Sequence, residues 1–172
     1  MKRRILILAG ALALLLGGCA GGGAPQGVQA GQALLSALFT SNQDGRWDAY
    51  QAAAAEGGDL EAAARDYLAP FQPFCTAGGL ETLASNRYPT RCDSLAQEYG
   101  VALQPGEAEI SEPDGSGASA FSLPVDLVSD GQTAGSVTLE GQLVFAEEDG
   151  ALLVDGLALY NLDDLSAALG GG

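Results

Sequence analysis

Three regimes of apolar spacing follow one another along this chain of 172 residues. An unbroken apolar run over residues 5–16 comes first. From Val28 the spacing becomes helical: Val28, Gly31, Leu34 or Leu35, Leu38 and Phe39 recur at three- and four-residue steps, which predicts a helix over about 28–40 with one apolar face. The turn and cap residues Thr40-Ser41-Asn42-Gln43-Asp44-Gly45 break it. A second helix is predicted from Trp47 and Tyr50 through the alanines at 52–55, since alanine is the best helix former, and Gly57-Gly58 ends it. Asp59 is placed to cap a third, with Leu60, Ala63, Ala64, Tyr67 and Leu68 on its face and Pro70 and Pro73 as stops. Shorter helices are predicted at 80–85 and at 93–99, the latter with Asp93 as N-cap and Gly100 just past its end.

After Gly100 the period falls to two. Residues 105–112 read as an edge strand that ends before the turn Pro113-Asp114-Gly115-Ser116-Gly117. Phe121, Leu123, Val125 and Leu127 alternate with Ser122, Pro124 and Asp126, as a strand with one buried face should. Ser129-Asp130-Gly131 turns the chain, and Val137, Leu139, Leu143 and Phe145 alternate with Thr138, Glu140 and Gln142 in the next strand. Glu147-Glu148-Asp149-Gly150 carries the Asp-Gly pair of a tight hairpin. The more apolar run 151–160 predicts a last strand placed centrally in the sheet, and 163–169 a short terminal helix. Helices first and an antiparallel meander second predict one α+β domain over 28–172, its N-terminal helices packed on a C-terminal sheet of three to four strands.

The first apolar run has its own meaning. Lys2-Arg3-Arg4 precedes it, and at twelve residues it is too short to cross a bilayer core, so 1–18 reads as a signal segment. Its ending, Leu16-Gly17-Gly18-Cys19, resembles the lipobox of bacterial lipoproteins. The resemblance implies cleavage between Gly18 and Cys19, with Cys19 carrying diacylglycerol and a further acyl chain such as palmitate. Two or more chains on one residue anchor stably, where a single chain binds a bilayer only marginally. The bland alternative is an ordinary signal with an incidental cysteine. Residues 19–27, small and nearly featureless, read as a tether. The address expected is extracytoplasmic: the outer membrane if the host has two membranes, the outer face of the plasma membrane if it has one.

Composition narrows the chemistry. The whole chain has seven basic and 22 acidic residues, and three of the basic ones lie at positions 2–4. Beyond residue 18 four arginines therefore face 22 carboxylates, a formal charge of −18, with no Lys and no His. Nucleic acid is excluded as a partner, because it requires a basic footprint. Peripheral docking on anionic lipid is excluded for the same reason, which leaves the acyl chains as the contact with the membrane. Without His or Lys there is no Ser-His-Asp set, no lysine Schiff base and no histidine-ligated zinc. No catalytic residue, metal ligand or cofactor is assigned.

With Cys19 given to lipid, Cys75 and Cys92 remain as one pair in an oxidising compartment, and a structural disulfide closing a loop of about eighteen residues is expected, contributing about 3 kcal/mol. Free thiols or an intermolecular link are the alternatives. Glu147-Glu148-Asp149 and Asp163-Asp164 lack the alternation of a calcium loop and read as solvated turns. Trp47, Tyr50, Tyr67, Phe71 and Phe74 read as core.

The order of elements, from Ala33-Leu34-Leu35-Ser36-Ala37-Leu38-Phe39 through Trp47 and Tyr50 to strands ending in Leu152-Leu153-Val154-Asp155-Gly156-Leu157, resembles the nuclear-transport-factor-2-like cone fold over about 28–160, and a cystatin-like helix-on-sheet arrangement resembles much of the same pattern. Enzymes of that fold carry an acid or base inside the cone, for which Asp126, Glu140 and Asp155 are the strand carboxylates to weigh, although alternation turns the first two outward. Three functions stand side by side: a non-catalytic binding or interaction module for an envelope protein, a small-molecule isomerase or lyase, and a carrier of a small apolar ligand.

Overall fold

A computed structural model describes residues 26–170. The signal segment, Gly18, Cys19 and most of the tether thus lie outside the described residues. Helix α1, Gln26–Leu38, begins two residues earlier than the spacing predicts, and the last two tether positions belong to it. Gly27 is buried against Leu152 and Phe145, so the helix seats on the sheet from its first turn.

Helices α2 (Arg46–Ala55) and α3 (Leu60–Leu68) follow, with Asp59 Oδ1 capping α3 by accepting from Ala62 N at 3.0 Å. A 3-10 stretch, Ala69–Phe74, carries Pro70 and Pro73 and leads into α4 (Ala77–Ser85), capped by the Thr76 hydroxyl. Helix α5 runs over Tyr88–Tyr99. Asp93 is therefore not an N-cap: it sits mid-helix and is buried. The true start has Pro in the first turn, where its missing N–H costs nothing. Gly100 ends the helix in the left-handed conformation, φ 64°, as predicted.

Strands β1 (Ala102–Pro105), β2 (Glu109–Ile110), β3 (Ala118–Ser129), β4 (Gln132–Glu148) and β5 (Ala151–Leu159) form one antiparallel sheet. The first two lie end to end along the same edge of β3, opposite Val125–Val128 and Phe121–Ser122. In place of the single edge strand expected over 105–112 there are two short ones: pairing with β3 starts earlier, at Ala102, holds through Gly106, whose N–H donates to Pro124 O at 2.8 Å, and resumes at Glu109. The fold is α+β, as the spacing predicts. One placement differs: β5 pairs only with β4 and forms the far edge. That edge is covered, because Thr76 N donates to Val154 O at 3.0 Å and the Thr76 hydroxyl to Asp155 Oδ1 at 2.5 Å. The apolar residues of β5 serve the helices docked over it rather than a second flanking strand. Helix α6, Leu162–Gly170, closes the described chain against β4.

The core lies between α1 and the inner sheet face. Leu34, Leu35 and Leu38 from the helix and Phe39 just past its end cluster with Leu123, Val125, Leu139 and Leu143 from the strands, all at most 1% exposed. At about 1.5–3 kcal/mol for each large side chain buried, this packing drives folding. It also occupies the interior that a cone-fold enzyme would keep open. No helix among the described residues is long and apolar enough to cross a membrane.

Candidate functional site

The chemistry-bearing residues gather at the helical end of the molecule, away from the strand carboxylates. Asn42, Asp44 and Gly45 all adopt positive φ and swing the chain from α1 into α2. That turn delivers Arg46 to the interior, 8% exposed, where its Nη2 donates to Ala37 O and Thr40 O at 3.3 Å each. The guanidinium thus caps the carbonyl end of α1, where positive charge is favoured. Its flat faces meet Phe71 and Tyr67, with 4.9 and 5.6 Å to the ring centroids.

Asp93, 1% exposed, is the counter-ion, 3.5 Å from Arg46 Nε. Its Oδ1 accepts from Asn42 N and its Oδ2 from the Tyr67 hydroxyl, both at 2.6 Å. Burial, followed by the Asp93 carboxylate, pushes the Tyr67 hydroxyl far above its ordinary value, so it remains a donor at every physiological pH. The Arg46–Asp93–Tyr67 group joins α1, α2, α3 and α5. Nitrogens Nε and Nη1 of Arg46 make no hydrogen bond among the described residues; Nε faces Asp93 as an ion pair, and the guanidinium carbon lies over the Tyr67 and Phe71 rings.

Beside this group opens a cleft of about 400 Å³, lined by Tyr50, Tyr67, Leu68, Leu83, Pro89 and Arg87 among others. The rings of Tyr50 and Tyr67 lie 5.2 Å apart, and Trp47 stacks on Tyr50 at 5.9 Å. Trp47 is fixed from its other side by donating its Nε1–H to Gln97 Oε1 at 2.9 Å. The aromatics therefore divide: Trp47, Tyr67 and Phe71 are buried, as expected for core, while the half-buried Tyr50 and one side of Tyr67 form cleft wall. Arg87 sits at the cleft with φ 56°, a left-handed conformation that costs a residue with a Cβ about 1–2 kcal/mol.

The other sites read from the sequence are scattered. Asp126, Glu140 and Asp155 are exposed on the strands, the last occupied by the Thr76 hydroxyl. The disulfide expected between Cys75 and Cys92 is not formed in the structure: both are free thiols. Cys75 lies where the chain bridges to Val154 beside the sheet, and Cys92 lies inside α5, each buried as a small apolar side chain. Burial pushes both thiols up to about 12. Among the described residues no group of three or more His, Cys, Asp or Glu side chains is placed to hold a metal ion. Sequence reasoning passed over Arg46 and Arg87 and read Asp93 only as a helix cap; the signal for its burial was a carboxylate on the same helical stripe as Pro89, Cys92 and Ala96.

Comparison by sequence gives no match to a family profile and none to a curated protein. Among solved structures, a periplasmic fragment of TraM aligns with a TM-score of 0.45 and 11% identity, over 79% of this chain and 96% of that one.

Proposed function

We propose that this chain is a lipid-anchored extracytoplasmic protein of the bacterial envelope whose folded domain binds a partner or ligand without transforming it. Support for the anchor is the order of Lys2-Arg3-Arg4, the apolar run and Leu16-Gly17-Gly18-Cys19. Support for binding rests on one observation: the buried acid and phenol spend their polar atoms on each other and on the fold, beside a cleft walled by aromatics. Each oxygen of Asp93 accepts a hydrogen bond from within the domain, Oδ1 from Asn42 N and Oδ2 from the Tyr67 hydroxyl, and its charge is paired with Arg46. An isomerase or lyase of the cone type would need an acid or base inside the cone, and that volume holds leucines.

Two experiments test the two halves. Cys19→Ser should abolish palmitate labelling and release the protein from the membrane fraction; continued labelling or retention overturns the anchor. For the domain, Tyr67→Phe, assayed at a temperature where the variant is folded, should leave the chain's cellular phenotype intact. Loss of that phenotype in a folded Tyr67→Phe protein would assign the buried pair a chemical role and overturn the binding reading.

A further inference from the structure

Of the four arginines in the described domain, three have carboxylate partners: Arg46 with Asp93, Arg65 with Glu61 and Arg91 with Asp163. Arg87 has none among the described residues, in a chain with 22 acidic groups. Arg87, exposed to solvent, lines the rim of the 400 Å³ cleft together with Tyr50, Tyr67 and Leu68. Its backbone is held left-handed at the N-cap of α5, and no side chain caps that helix. In that first turn Pro89 has no N–H and Arg91 N already donates to Arg87 O at 2.9 Å, so the N–H groups of Tyr88 and Thr90 are the ones without intrahelical acceptors at the positive end of the dipole. A cavity of small-ligand size, an unneutralised guanidinium, a strained backbone and an aromatic wall thus meet at one place.

We propose that this cleft binds a small organic anion, its carboxylate or phosphate held by Arg87 and the start of α5, its apolar or aromatic body lying against Tyr50, Tyr67 and Leu68. The proposal deepens the binding reading above and rests on it. A charge-assisted contact to Arg87 fixes the anionic end, and the tyrosine faces accept a ring without demanding a specific polar pattern.

The test uses the full chain in detergent micelles and the fluorescence of Trp47, the one tryptophan of the sequence, which stacks on the cleft residue Tyr50. Three probes are titrated: N-acetyl-phenylalanine, its neutral amide, and acetate. The acid should give a saturable change, with the amide and acetate each at least about tenfold weaker, and equilibrium dialysis of the same probes reads binding directly if the emission is silent. Arg87→Gln should remove the preference for acid over amide while leaving the circular dichroism unchanged. Arg87→Gly should also remove it, yet raise the melting temperature by relieving the left-handed strain. Absence of binding of the acid by both methods overturns the proposal, as does an Arg87→Gln protein that still prefers the acid. Neither result touches the anchor, which acyl labelling of Cys19→Ser decides.

Discussion

Asp93 shows how much one buried charge can organise. Among the described residues it is the only carboxylate 1% exposed or less, and it collects a backbone N–H, a phenol and a guanidinium from three separate segments. Asp93→Ala leaves Arg46 buried and unpaired, an arrangement expected to cost about 3–5 kcal/mol in urea unfolding. Tyr67→Phe removes one hydrogen bond to a charged acceptor and should cost about 1.5–3 kcal/mol in the same measurement. A loss below about 1 kcal/mol for Asp93→Ala would show that water already reaches the group. The thiols make a second residue-scale case. Cys75 and Cys92 hold their protons up to about 12, whereas the unfolded chain releases them near 9, so folding stability should be intact below pH 9 and fall as the pH climbs from 9 toward 12. Tyr67 adds to the same fall above pH 10, because its folded value is raised too. Thermal melts across that window check the slope. A melting temperature unchanged by reductant, with two thiols alkylated only in denaturant, checks that both are free.

Among the elements, the docking of α4 on β5 is a joint that a single methyl group would disturb. A Cβ at Gly79 would overlap the Val154 carbonyl oxygen, and backbone on both sides cannot yield as a side chain would. Gly79→Ala should therefore cost about 1–3 kcal/mol, while Gly135→Ala on β4, where a Cβ meets only Leu127 Cδ1 at 3.6 Å, should fall within about 0.5 kcal/mol of the parent. Urea unfolding of the two variants side by side separates close approach from glycine flexibility in general. This joint also marks the limit of what spacing alone reveals. The strands β3 and β4 were legible because alternation at Phe121, Leu123, Val125 and Leu127 records one buried face directly. The apolar content of β5 was legible too, but its position was not: a strand flanked by helices over an edge reads like a central one, and only the Thr76 contacts tell them apart. In α5 the N-cap propensity of Asp drew the start to Asp93, when Pro89 in the first turn was the better marker. The cleft was not legible at all. It is built from α2, α3, α4 and α5, and no local pattern records which helices lie side by side or that Arg87 lacks an acidic neighbour.

At the scale of the molecule, the balance of charge sets a condition the fold must tolerate. All 22 acidic residues and four arginines fall within residues 26–170, and only three ion pairs form among the described residues. Two of these, Arg65–Glu61 and Arg91–Asp163, are solvent-exposed and contribute about 0–1 kcal/mol each. The third is buried, where salt screens little. What salt can reach is therefore mostly repulsion among carboxylates on the surface of the sheet and helices. Raising KCl from 0.01 to 0.1 M shortens the screening length from about 30 to about 10 Å, below the span of the domain. The melting temperature at pH 7 should rise over that interval and level off beyond it, since the remaining close contacts are few. A fall instead would mean that attractive surface pairs outweigh repulsion, contrary to the pairing seen here. The same field keeps the domain away from anionic headgroups, so the unacylated Cys19→Ser protein should fail to sediment with phosphatidylglycerol vesicles even at 0.01 M KCl, where any basic patch would bind most tightly. Sedimentation at low salt that is lost at 0.1 M would reveal an electrostatic membrane contact, and the acyl chains would then not be acting alone.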